Sequence, residues 1–102
     1  MARTAFEFVA TRLEQLTEFD SLEARGTVRL ALKEAGLDAR SVTTSQIAVV
    51  VERVLPYELR SRGVDDSERI ARSILTDLKG FRAEPSEQSE SPEDVFRRLV
   101  GR

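Results

Sequence analysis

Cysteine, histidine and tryptophan are all missing from the 102 residues, and those absences remove whole classes of chemistry. There is no disulfide framework, no thiolate nucleophile and no zinc site of the usual Cys/His ligand sets. A Ser-His-Asp triad and an imidazole general base are excluded on the same ground. Long apolar runs are missing too. The longest covers residues 47–51, against the roughly 20 residues needed to cross a bilayer. The opening Met-Ala-Arg-Thr-Ala-Phe-Glu-Phe reaches Glu7 without the apolar stretch of a secretory signal. The expectation is a cytoplasmic, non-enzymatic protein with no membrane association, no cofactor and no bound metal.

A surplus of positive charge is also lacking. Sixteen Lys and Arg stand against eighteen Asp and Glu, a formal net charge of −2, whereas a surface that coats nucleic acid draws most of its affinity from cations neutralising phosphate. The balance argues against nucleic acid as the partner. Arginine outnumbers lysine 14 to 2, which reads either as bidentate anion recognition or as a bias in usage. A chain of this size buries about two-thirds of its surface on folding, and 40% hydrophobic residues supply one core.

What is abundant is helix punctuation. A capping residue followed three positions later by Glu or Gln satisfies two orphan N–H groups at a helix start. The pattern occurs at Thr4/Glu7, Asp20/Glu23, Thr43/Gln46 and Asp65/Glu68, with a weaker form at Ser91-Pro92-Glu93-Asp94. Gly36-Leu37, Gly63-Val64 and Gly80-Phe81 each place a glycine where a left-handed residue closes a helix, followed by an apolar residue that folds back. Between these marks the apolar residues recur at spacings of three and four. The stripes are Phe6, Val9, Leu13 and Leu16; Ala24, Val28, Ala31, Leu32 and Ala35; Ile47, Val50, Val51, Val54 and Leu55; and Ile70, Ala71, Ile74, Leu75 and Leu78. Pro56 cannot donate to the preceding turn, so it kinks the third helix or splits off a short piece running to Arg62. The small residues Ala24, Gly26, Ala31 and Ala35 of the second helix suggest a close helix–helix approach there, with a packing reason for a glycine in mid-helix.

The fold class that follows is all-α: a four-helix bundle-like domain with a kinked third helix and a tethered short C-terminal helix. The organisation is a helical domain over residues 1–81, a flexible acidic linker over 82–91, and an amphipathic helix over 92–102. In the last, Val95, Phe96, Leu99 and Val100 form an apolar stripe with Arg97 and Arg98 beside it. So short a helix is marginal alone and must dock. Its six named residues are the candidate partner-binding set, in cis, in a homodimer or on another protein.

Two motifs point elsewhere. Asp20-Ser21-Leu22 resembles the attachment motif of acyl carrier proteins, and Val42-Thr43-Thr44-Ser45-Gln46 is similar to the lead into the last helix of that family. The resemblance covers about a third of the chain. It implies a helical carrier in which Ser21 holds phosphopantetheine. Only 19 residues precede Asp20, and a further capped helix and a tail follow Gly63, both departures from that family. A capping box at Asp20 and Glu23 is the other reading of the same residues. The second motif is a helix-turn-helix formed by the helices flanking residues 37–42, which implies a DNA-associated regulator. Its second helix offers Ile47, Val50 and Val51 rather than polar base-reading side chains.

Asp65-Asp66-Ser67-Glu68 lacks the alternating ligands and central glycine of a calcium loop. Tyr57, Lys33 and Lys79 have no recognisable catalytic partners in the sequence. The leading expectation is a small helical interaction or regulatory protein acting through protein–protein contacts.

Overall fold

The computed structural model describes residues 4–81. Over these residues the protein is all-α, with five helices: α1 (Ala5–Leu16), α2 (Ser21–Glu34), α3 (Thr44–Arg53), α4 (Leu55–Ser61) and α5 (Ser67–Lys79). The expected linker at 82–91 and helix at 92–102 lie outside the described residues.

Three of the four helix starts form as the sequence dictates. Thr4 and Thr43 make reciprocal capping boxes with Glu7 and Gln46. The Asp20 carboxylate accepts from the Glu23 N–H at 2.7 Å, which satisfies one orphan donor of α2. The fourth shifts. The residue preceding α5 is Asp66, not Asp65, and its side chain makes no capping bond. Glu68 therefore stands one position too early in the helix to reach back. Only three residues separate Gly63 from Ser67, the buried first residue of α5.

Helix ends follow the same logic at two of three glycines. Gly36 and Gly63 adopt φ of 76° and 82°. In each case the glycine N–H and the next N–H bond back to helix carbonyls: Gly36 to Lys33 and Leu37 to Leu32, Gly63 to Arg60 and Val64 to Leu59. This is the Schellman closure. Gly80 departs from the expectation. Its φ of −96° is right-handed, and Gly80 and Phe81 bond instead to Asp77 and Leu78, a tightened last turn. Phe81 then stacks on Phe8 of α1, with ring centroids 4.4 Å apart. That contact fastens the end of α5 without a left-handed residue.

At Pro56 the chain divides rather than kinks. Val54 ends α3 and precedes α4, with Pro56 in the first turn of the new helix, where a missing N–H costs nothing. The expected third helix is thus two. Ile47, Val50 and Val51 of α3 and Leu55 and Leu59 of α4 enter one core with Phe6, Val9, Leu13, Val28, Leu32 and Ile74. The stripe read along α2 runs one residue too far, since Ala35 is exposed.

Helix α1 packs most extensively on α2, while α5 lies against α1, α3 and α4. Arg25 and Arg29 of α2 hold their guanidinium groups 5.8 and 5.3 Å from the Phe6 ring centre, cation–π contacts that account for two of the arginines. Arg12 of α1 reaches Asp77 of α5 at 2.6 Å. The close approach expected at Gly26 does not occur: a Cβ built there meets nothing within 4 Å. Of the other small residues expected to allow close approach, Ala24 and Ala31 are buried and Ala35 is exposed.

Candidate functional site

Helix α5 carries Ala71, Ile74 and Leu78 into the core and leaves Leu75 half-buried beside them. Helix α3 leaves Ala48 half-buried, and α4 buries Pro56. α4 starts a fresh helix at Leu55, and a furrow lies between the α3–α4 pair and α5. At one end it is lined by Thr44, Ala48, Leu75, Thr76 and Lys79, with a volume of about 480 Å³. At the other it is lined by Pro56, Tyr57, Arg60, Glu68 and Ala71, with a volume of about 500 Å³. Glu52, Arg72 and Leu75 border both cavities, so the two adjoin along α5.

The floor is apolar and the rim is charged. Tyr57 is 68% exposed and held by the Arg60 guanidinium 5.4 Å from its ring centre. Arg60 also faces Glu68 across the groove end at 3.6 Å, an exposed pair that adds little stability. A half-buried aliphatic floor, an exposed aromatic and a polar rim together match the anatomy of a protein-binding surface.

The titratable group most altered by its surroundings lies elsewhere. Glu58 of α4 is only 8% exposed. It keeps its proton to higher pH than an ordinary glutamate, first through a hydrogen bond to Glu34 of α2, then through burial and the Glu34 charge, with Arg62 opposing. Protonated Glu58 donates to Glu34, whereas the ionised form meets a like charge. Between the ordinary and the raised pKa the folded chain binds more protons than the unfolded one, so this group's stabilisation is lost as pH rises through that window. Glu58→Gln keeps a donor at the same place and removes the titration. Its melting temperature is expected to match the parent near pH 4 and to exceed it increasingly toward neutrality. A difference that does not vary with pH would refute this account of the pair.

The sites anticipated from sequence fall as follows. Val95, Phe96, Arg97, Arg98, Leu99 and Val100 lie outside the described residues. Ser21 is exposed as the first residue of α2, and the cleft beside it, against Ala10, Thr11 and Glu14, measures about 30 Å³, about the share of one water molecule. Asp20 is occupied as the cap. In the helix-turn-helix reading α3 would face DNA; its exposed residues are Ser45, Gln46, Val49, Glu52 and Arg53, a single cation among them. Among the described residues no cluster of three or more carboxylates could hold a metal ion. Nor is any helix there long and apolar enough to cross a membrane.

The groove residues Tyr57, Arg72 and Leu75 were not singled out by the sequence as binding residues. Leu75 reads as one more member of the core stripe, and only the break at Val54 turns it into a groove floor. A signal was available in Tyr57, an aromatic placed directly after a helix-dividing proline. No protein-family model, curated protein or solved structure matches the chain.

Proposed function

We propose that this chain is a small non-enzymatic interaction module that acts through protein–protein contacts, and that its docking surface is the groove between α5 and the α3–α4 pair. The observation that carries the reading is that groove's combination of an apolar floor at Ala48, Pro56 and Leu75 with exposed Tyr57 and a charged rim. A helical ligand suits it, because two helices already form its walls and a third presenting residues at i, i+3 and i+4 completes the packing.

The test uses the full chain, tagged and recovered from its native source under mild cross-linking. Tyr57→Ser with Arg72→Glu changes two exposed rim residues and leaves the core untouched. Leu22→Ser with Leu30→Ser changes the exposed face of α2 and serves as the control. The reading expects specific protein partners to be retained by the control and reduced at least tenfold in the rim variant. Equal recovery by both variants would place the docking surface elsewhere, and recovery of nucleic acid alone would overturn the reading.

A further inference from the structure

Helix α5 begins without a side-chain cap. Its first helical bond runs from the Ile70 N–H to the Asp66 carbonyl at 2.9 Å, so the N–H groups of Ser67, Glu68 and Arg69 precede the ladder. The Asp66 side chain makes no capping bond to them, whereas Thr4, Asp20 and Thr43 each satisfy a donor at the starts of α1, α2 and α3. A helix N-terminus carries about half a positive charge, and unsatisfied donors there suit an anion.

A second feature points to a ligand at the same place. Ser67 is only 6% exposed, yet its hydroxyl makes no hydrogen bond among the described residues. The other buried hydroxyl, on Thr27, donates to the Glu23 carbonyl four residues earlier at 2.7 Å. Ser67 opens its helix, so no helical carbonyl lies four residues before it. Every fully enclosed side-chain polar atom among the described residues has a partner. The Ser67 hydroxyl is therefore not enclosed: it meets the cleft of about 360 Å³ that Ser67 lines with Arg60, Asp66, Glu68, Arg69 and Arg72.

The charges of that cleft favour an anion. Its lining carries three guanidinium groups against two carboxylates, and the helix terminus adds to the positive side. Glu68 is engaged by Arg60 at 3.6 Å. Arg69 and Arg72, three residues apart on one face of α5, have no ion-pair partner among the described residues. Asp66 is the opposing charge that remains, and a dianion with several acceptor oxygens outweighs it more readily than a single carboxylate does. We infer that the start of α5 binds a phosphate-type oxyanion. The N–H groups of Ser67, Glu68 and Arg69, the Ser67 hydroxyl and the guanidinium groups of Arg69 and Arg72 hold it. Arg60, Glu68 and Arg72 border the docking groove as well, but Ser67 and Arg69 do not line it, so the inference stands apart from the docking role.

The test is a titration of the full chain with inorganic phosphate at neutral pH and constant ionic strength, followed through backbone amide resonances. The amides of Ser67, Glu68 and Arg69 are expected to shift along saturable curves, while those at the capped start of α3 hold. Chloride at the same ionic strength is expected to leave all of them in place. Ser67→Ala and Arg69→Gln are each expected to raise the dissociation constant at least threefold, and the two together at least tenfold, with the resonances of α1 to α3 unchanged as evidence that the fold is kept. Phosphoserine blocked at both ends separates the sources of the anion. Tighter binding than inorganic phosphate assigns the site to a phosphorylated side chain and weaker binding to the free ion, and either upholds the oxyanion site. Shifts that never saturate, shifts reproduced by chloride, or a dissociation constant unchanged in the double variant would overturn it.

Discussion

Ile74→Ala is expected to destabilise the protein by about 2–5 kcal/mol, the range for truncating a fully buried aliphatic side chain. Ile74 has no exposed surface and sits on α5, the helix packed against α1, α3 and α4. Removing its outer carbons leaves a void that three neighbouring helices border, and none can move in without leaving another. A domain of about 80 residues has a total stability on the order of 4–12 kcal/mol, so the loss is a large part of the whole. At about 4–8 °C per kcal/mol the melting midpoint is expected to fall by at least roughly 10 °C. Chemical denaturation provides the check, with the midpoint moving and the slope unchanged. A change below about 1 kcal/mol would mean that α5 is not central to the core.

The second large effect is a change of sign between two glycines. Gly63→Ala is expected to cost about 1–2 kcal/mol, because φ is 82° there and the left-handed conformation brings a Cβ too near a carbonyl oxygen. No neighbour lies within 4 Å of a Cβ at that position, so the cost is backbone strain and not crowding. Gly63→Asn, which tolerates this conformation better, is expected to recover part of it. Gly26→Ala is expected to stabilise by about 1 kcal/mol, since alanine is the better helix former. The site is exposed, helical and equally free of neighbours. Thermal unfolding of the three variants side by side decides the matter. Destabilisation by Gly26→Ala would indicate an unaccounted close approach on that face of α2.

These glycines also show what the sequence could and could not specify. Closure of α2 and α4 was legible because only glycine reaches that backbone region cheaply, and the following Leu37 and Val64 completed the motif. Gly80 carried the same local pattern and closed differently, because the Phe81–Phe8 stack is a contact between residues 73 positions apart. Local patterns carry no information about such a contact. Gly26 failed in the other direction: a small residue in mid-helix suggested a packing reason, yet nothing lies near it, while Ala24 and Ala31 of the same set are buried.

The capped starts and apolar stripes were legible for a similar reason, since each depends on neighbours within one turn. The groove was not. Its residues come from three helices, α3, α4 and α5. The sequence offered a kink or a split with no local means of choosing. Of the candidate docking residues, the sequence named Val95 to Val100, which lie outside the described residues.

The measurement that tests the central claim most directly is site-specific photo-cross-linking in the native cell, with the reactive group at Glu52, which borders both halves of the groove, and at Leu22, 81% exposed on α2. The account expects adducts from position 52 to be a helical segment of a partner protein, and expects position 22 to give none. Protein adducts from position 22 with none from position 52 would contradict it.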